Sequence, residues 1–233
     1  MTDAQPARKP IITIDGPAGA GKSTVARHLA ARFGLLNLES GAMYRAFARK
    51  ALDAGVDPDN PESLEALART TTIELDPTPS GNRVLLDGAD VTASLRDLAV
   101  TQAASRVSVH PAIRTWMVDL QRAMGSNGGI VMEGRDIGTI VFPHAEIKFF
   151  LDASPEARTQ RRYLEAPSAA TTPETIREDL RKRDERDRNR AESPMRPAPD
   201  AIMIDSTELN LDQVLARIES IVTERLSSPA SGS

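Results

Sequence analysis

Gly16-Pro17-Ala18-Gly19-Ala20-Gly21-Lys22-Ser23-Thr24 reads as G-x-x-x-x-G-K-S and directly follows the β-branched run Ile11-Ile12-Thr13-Ile14. Glycines let successive backbone N–H groups curl toward one point, and the helix that follows adds the positive end of its dipole. The stretch is a cradle for phosphate, with Lys22 reaching the outer phosphates and Ser23 offering its hydroxyl to Mg²⁺. Any Gly-rich turn between a strand and a helix shares this composition. The strand before it, and Val25, Leu29, Ala30 and Phe33 at helical spacing after it, supply the setting that the chemistry requires.

Outward from the cradle, Gly34 supplies a left-handed helix stop, and Leu35-Leu36-Asn37-Leu38 reads as a second buried strand that delivers Glu39-Ser40-Gly41 beside the cradle. Further short apolar strands follow at Ile130-Val131-Met132, Ile147-Lys148-Phe149-Phe150-Leu151 and Ala201-Ile202-Met203-Ile204, each separated from the last by helical periodicity. Five strands alternating with helices predict a parallel sheet covered on both faces, a three-layer α/β/α fold. Residues 70–94 depart from that pattern. Ile73-Glu74-Leu75, Val84-Leu85-Leu86 and Val91, punctuated by Gly81-Asn82 and Asp87-Gly88, predict a small antiparallel meander.

Composition removes several classes of function. A net charge of −4 over 233 residues argues against binding nucleic acid or a membrane by bulk electrostatics, so any anion site is local. The absence of cysteine excludes disulfides and thiolate chemistry. His28, His110 and His144 are dispersed and read as structural or surface residues, not metal ligands. With no apolar leader and no long apolar stretch, the expectation is a cytoplasmic monomer acting on small molecules.

The reaction depends on what faces the cradle. Residues 177–196 hold seven arginines and one lysine against six acids, too even a balance for a nucleic-acid tract. Ile176, Leu180, Arg183, Asp187 and Arg190 share a helix face that begins apolar and becomes ionic. A solvated helix stitched by i,i+4 ion pairs is one reading; the preference for guanidinium forks over lysine favours phosphate contact. Arg135-Asp136 ends the third strand at the same sheet edge, either as a turn held by a local ion pair or as part of a site. Ser40 stands as helix cap or ligand, and Arg45 as surface charge or ligand. Trp116, Tyr44 and Tyr163 read as packing residues.

These residues carry a resemblance to the bacterial cytidylate kinases, a branch of the P-loop nucleoside monophosphate kinases. The segments, in the family's order, are Ile12-Thr13-Ile14-Asp15-Gly16-Pro17 running into the cradle; Ser40-Gly41-Ala42-Met43-Tyr44-Arg45; Ala104-Ser105-Arg106-Val107 with Pro111 and Arg114; Glu133-Gly134-Arg135-Asp136-Ile137-Gly138-Thr139; and Arg183-Asp184-Glu185-Arg186-Asp187-Arg188-Asn189-Arg190. The family pattern has aspartate more often than Glu39 and Glu133.

The resemblance implies a single kinase domain: a core of residues 10–40, 98–153 and 192–226, a monophosphate-binding region at 41–97, and a lid with flanking helices at 154–191. It implies transfer of the ATP γ-phosphoryl group to CMP or dCMP, with Mg²⁺. By position, Arg45, Arg135 and Arg190 would hold the acceptor phosphate or the transferred group, and Lys22, Arg135, Arg183 and Arg190 would be catalytic. Ser105, Arg114 and Asp136 would read cytosine. Ser40, Arg183 and Asp187 would lie about the sugar, and Arg158, Arg162 and Arg186 would be lid arginines, the first two toward ATP. A kinase for UMP or a small metabolite, and a nucleotide-operated switch, stand as alternatives.

Overall fold

The computed structural model describes residues 9–78, 81–165 and 172–227. Residues 1–9 and 227–233, expected from composition to be flexible termini, lie almost wholly outside them. In chain order the elements are β1 (Lys9–Asp15), α1 (Lys22–Phe33), β2 (Leu36–Glu39), α2 (Ser40–Asp53), α3 (Pro61–Ala68), β3 (Ile73–Thr78), β4 (Gly81–Leu86) and β5 (Ala89–Asp90). Then come α4 (Leu98–Val107), α5 (Pro111–Met124), β6 (Gly128–Gly134), β7 (Ile147–Asp152), α6 (Pro155–Glu165), α7 (Pro173–Asn189), β8 (Ile202–Asp205) and α8 (Leu211–Ser227).

The five expected core strands form one sheet in the order β2-β6-β1-β7-β8, with every neighbouring pair parallel. Alternation along β1 builds the layers. Ile12 and Ile14 face Val25 and Leu29 of α1 and Ile218 and Val222 of α8. Ile11 faces the opposite layer, with Ile130, Met132 and Val118 of α5. A third apolar cluster, centred on Met43, Phe47, Leu64, Val107 and Met117, joins α2 to α5 with the small sheet; the Phe47 and Trp116 rings meet edge to face at 5.1 Å. Because β1 is central and the chain leaves it in both directions, the carboxyl edge of β1 is the switch point where such sheets bind ligands.

The meander exists as the antiparallel order β3-β4-β5, but its last strand is Ala89–Asp90, not the segment around Val91. Asp87 (φ 50°) and Gly88 (φ 80°) form a tight two-residue turn that returns the chain one step earlier, pairing Leu86 with Ala89. Past that strand the Val91 N–H still bonds the Val84 carbonyl at 3.0 Å, and the Thr92 hydroxyl accepts the Val84 N–H at 2.8 Å. Asn82 ties this sheet to the core. Its amide donates to the Asn37 carbonyl at 2.7 Å and accepts the Glu39 N–H at 2.9 Å, so one side chain pairs with the edge of β2 as another strand would.

No described helix is long and apolar enough to cross a membrane. The three histidines are structural or peripheral: His28 meets Glu219 at 3.0 Å, and His110 Nε2 donates to the Pro58 carbonyl at 2.9 Å.

The cradle leaves β1 through Gly16, which has φ +142° and passes the Leu151 carbonyl so closely that a Cβ would lie 2.0 Å from its oxygen. Gly16→Ala combines a strained backbone with overlap against main chain that no rotamer change relieves. It should cost about 3 kcal/mol or more, measured by urea unfolding; a loss under about 1 kcal/mol would show that the loop has another route past β7.

Candidate active site

Three chain segments converge at the carboxyl edge of the sheet: the cradle after β1, the start of α2 after β2, and Arg135-Asp136 after β6. The inner face of α7 covers them. Helix α7 begins with reciprocal capping, the Thr172 hydroxyl accepting the Thr175 N–H and the Thr175 hydroxyl accepting the Thr172 N–H. Its charges divide between two faces. Outward, Arg181 bonds Glu178 and Glu185, and Lys182 lies near Glu178, in solvent. Inward, Asp184 and Asp187 are buried, and the chain leaves the helix at buried Arg190.

Lys22 opens α1 and is buried, its ammonium donating to the Pro17 carbonyl at 2.7 Å. Burial, then the nearby charges of Arg135 and Arg183, push its pKa down to about 7. Arg183 is pushed down to about 10, first by burial and then by Arg135, with Arg45 and Arg162 adding repulsion. Burial and then the Asp187 charge act on Arg135 in opposite directions; with Glu133 added the pairing outweighs the desolvation, so Arg135 is pushed up. Cations that depress one another in a desolvated space form an anion site by elementary electrostatics.

Arg135-Asp136 is not a local pair. Arg135 Nε donates to Asp187 at 2.9 Å, while Asp136 pairs with Arg114 and lies 3.4 Å from Arg190 Nη2. Arg114 also donates to the Ser108 carbonyl at 3.2 Å and sits over the Tyr44 ring, its carbon 6.0 Å from the centroid. Burial raises the Tyr44 hydroxyl to about 12, so it stays protonated. Ser105 Oγ accepts from Arg186 Nη1 at 2.5 Å, which brings Arg186 to the Arg114 side of the cleft. Arg45 lies 3.7 Å from Glu39 and is pushed down by burial, the Glu39 and Glu133 charges opposing. Arg45 Nε, Arg114 Nε and Arg190 Nη2 are buried with no hydrogen-bond partner, donors of the kind a bound anion or base satisfies.

Ser40 is the first residue of α2, not its cap; its hydroxyl donates to the Glu133 carbonyl at 2.7 Å and joins β6 to α2. Ser23 donates to Glu133 Oε1 at 3.0 Å, and no cluster of three metal-ligating side chains exists among the described residues. A single hydroxyl at the helix start suits Mg²⁺, which keeps most of its shell as water and phosphate.

Arg158 departs from the expectation of a lid arginine. It is buried, donating to the Ala153 and Ala18 carbonyls at 3.0 Å and pairing with buried Asp184 at 2.7 Å. The reason lies in Gly19, whose missing side chain lets α6 approach so closely that a Cβ there would sit 3.3 Å from Arg158 Cβ. Arg158 braces the cradle against α6 and α7, whereas Arg162 is exposed and pairs with Glu165 at 3.2 Å. Sequence reasoning gave no role to Arg96, an exposed residue whose charge acts on both Glu39 and Arg45, nor to buried Asp15.

A parallel sheet with a lysine-bearing phosphate cradle at its switch point, covered by an arginine-lined helix, defines a P-loop kinase. A family model described as cytidylate kinase matches residues 12–224. A cytidylate kinase from Geobacillus kaustophilus is 48% identical over 221 residues, covering 94% of this chain and 99% of the relative. That from Geobacillus thermodenitrificans is also 48% identical with the same coverage, and one from Pelotomaculum thermopropionicum is 49% identical over 212 residues, covering 90% and 94%. The chain belongs to the cytidylate kinase family.

The brace predicts a stability effect. Asp184→Ala strands the Arg158 guanidinium in a buried site and should cost about 3–5 kcal/mol in chemical denaturation, with Asp184→Asn milder; equal stability of Asp184→Ala and the parent would mean that the pair is dispensable.

Proposed function

We propose that this chain transfers the γ-phosphoryl group of ATP to the 5′-phosphate oxygen of CMP or dCMP, giving CDP or dCDP and ADP. The observation that carries this reading is the mutual repulsion of Lys22, Arg135 and Arg183 where the cradle meets α7, beside the paired Arg114 and Asp136. The acceptor oxygen is already anionic, so no strong base is needed. The reaction needs alignment and charge compensation, because two polyanions must meet and the transition state spreads charge over three oxygens.

In this reading the N–H groups of residues 16–24 hold the donor phosphates, and Lys22 turns from the Pro17 carbonyl to the outer oxygens. Ser23 would be the protein ligand of Mg²⁺, which would supply neutralising charge to the donor phosphates. Arg45 and Arg190 hold the acceptor phosphate, and Arg135 and Arg183 neutralise the group in transit. Asp187 fixes Arg135 in the site, which otherwise repels it. Ser40 and Asp187 support the sugar side, and Arg162 and Arg186 belong to the lid that excludes water over the donor.

Cytosine offers acceptors at O2 and N3 and a donor at N4, complementary to the guanidinium of Arg114 with Ser105 and to the carboxylate of Asp136. Uracil reverses N3 and the 4-substituent, which sets a carbonyl oxygen against Asp136. An ADP-release assay with CMP, dCMP and UMP should show clear preference for the cytosine nucleotides, and equal rates would overturn the base assignment. Asp136→Ala should narrow that preference by about 1–3 kcal/mol, and Arg183→Ala should lower kcat by roughly 10²–10³-fold. ATP hydrolysis without acceptor as fast as transfer to CMP would rule out the closing lid.

Lys22 adds a pH signature. Its pKa near 7 in the free protein means that above pH 7 the amine is increasingly neutral, and bound phosphate restores the ammonium. ATP binding at pH 8 should therefore take up close to one proton, read by calorimetry in buffers of different ionisation enthalpy, and Lys22→Met should abolish the uptake. Proton release, or no exchange, would contradict it.

A further inference from the structure

The residue before the cradle has a separate task. Asp15 is buried, and alternation along β1 places it on the same face as Ile11 and Thr13, away from α1. Its Oδ1 accepts the Ile137 N–H at 2.8 Å and its Oδ2 the Gly138 N–H at 2.7 Å. Those groups open the turn Ile137–Val141, in which Val141 N–H bonds the Asp136 carbonyl at 3.3 Å and Phe142 N–H bonds that of Ile137 at 2.7 Å. The first N–H groups of such a coil have no partner within it. A carboxylate from a strand more than a hundred residues earlier in the sequence satisfies two of them.

The fit is close on every side. A Cβ on Gly138 would lie 2.8 Å from Thr13 Oγ1 and 3.3 Å from Asp15 Oδ2, so the turn seats on β1 only with glycine there. Asp15 pairs with Gly134 across the sheet, next to Arg135, and is followed by Gly16. One side chain thus stands between the donor cradle and the acceptor pair. We propose that Asp15 is a positioning residue that caps the turn behind Arg135-Asp136 and holds the acceptor-reading groups in register with the phosphate cradle.

A buried carboxylate is a costly way to fill this position, and an apolar residue would serve packing better. Burial pushes Asp15 up to about 7; the two N–H bonds oppose this, Asp136 adds to it, and Lys22 opposes it, while the Lys148 stem flanks the same turn from β7. The ionised carboxylate accepts both N–H bonds strongly, whereas the neutral acid accepts well at its carbonyl oxygen alone. The sign differs for stability and for binding. Because the folded pKa is raised, Asp15 costs stability progressively as pH rises from about 4 to 7, while the cap itself fills only as the carboxyl ionises through about 7.

This inference rests on CMP as acceptor, and the two fail separately: a parent enzyme inert toward CMP defeats the functional reading, whereas an active parent with an indifferent variant defeats only the role of Asp15. Asp15→Asn keeps the shape but offers one acceptor oxygen. It should raise KM for CMP by about tenfold or more and narrow CMP-over-UMP preference, while the dissociation constant for ATP changes by less than about twofold. Gly138→Ala should reproduce that split, and the double variant should add little to either single. Equal losses toward ATP and CMP, or a KM for CMP within about twofold of the parent, overturn the proposal. Should the variants not fold, the parent protein decides: its Ile137 and Gly138 amide proton resonances should shift together with the midpoint of the Asp15 carboxyl carbon. Amide resonances that stay flat while that carboxyl titrates overturn it.

Discussion

Like charges held together in a space with little water are the constraint around which this molecule is built. Lys22, Arg45, Arg135 and Arg183 come from the cradle, α2, the end of β6 and α7, and in the free protein each is next to at least one other. Such an arrangement is unfavourable unless something compels it. Fewer carboxylates provide the compulsion: Asp187 holds Arg135, Asp136 holds Arg114 and lies near Arg190, and Glu133 stands near both Lys22 and Arg45. The unbalanced part of that charge is what a phosphate chain would neutralise, so binding strength and folding cost have one origin.

Helix α7 shows how one sequence satisfies solvent and site at once. Its outer arginines and glutamates are ordinary exposed pairs of small energetic weight. Its inner face carries Asp184, Asp187 and Arg183, which act through burial. The Asp184–Arg158 contact matters most for rigidity, because Arg158 also donates to the Ala18 carbonyl inside the cradle. Helix and cradle are thereby tied by directional bonds, and a shift of α7 cannot leave the cradle untouched.

Much of this was legible in the chain. The short apolar runs, such as those at 11–14 and 130–132, and the glycine pattern of the cradle are local signals, so all five core strands and the helix after the cradle follow from them. Where reading failed, the cause was nonlocal. Arg158 was assigned to the lid, but the close approach of α6 to Gly19 and the partners Ala18, Ala153 and Asp184 turn it inward. Val91 carried the right residue type for a strand, but the positive φ values of Asp87 and Gly88 set the register first. Asp15 and Arg96 carry no local signal beyond charge; their settings arise when β1 meets the 137–141 turn and when the insertion folds back toward Glu39 and Arg45.

Three polar bridges tie the elements around the cradle to one another: Asp15 to the 137–141 turn, Asn82 to the edge of β2, and Arg158 to Ala18 and Asp184. Apolar contact is nondirectional and tolerates sliding by a fraction of an ångström, whereas a hydrogen bond weakens steeply with misalignment. A reaction that depends on aligning two phosphates needs the second kind of contact. Burying polar groups at these points costs stability that an apolar core would have conserved. In return the cradle, the β2 edge and the Arg135-Asp136 pair keep one mutual geometry.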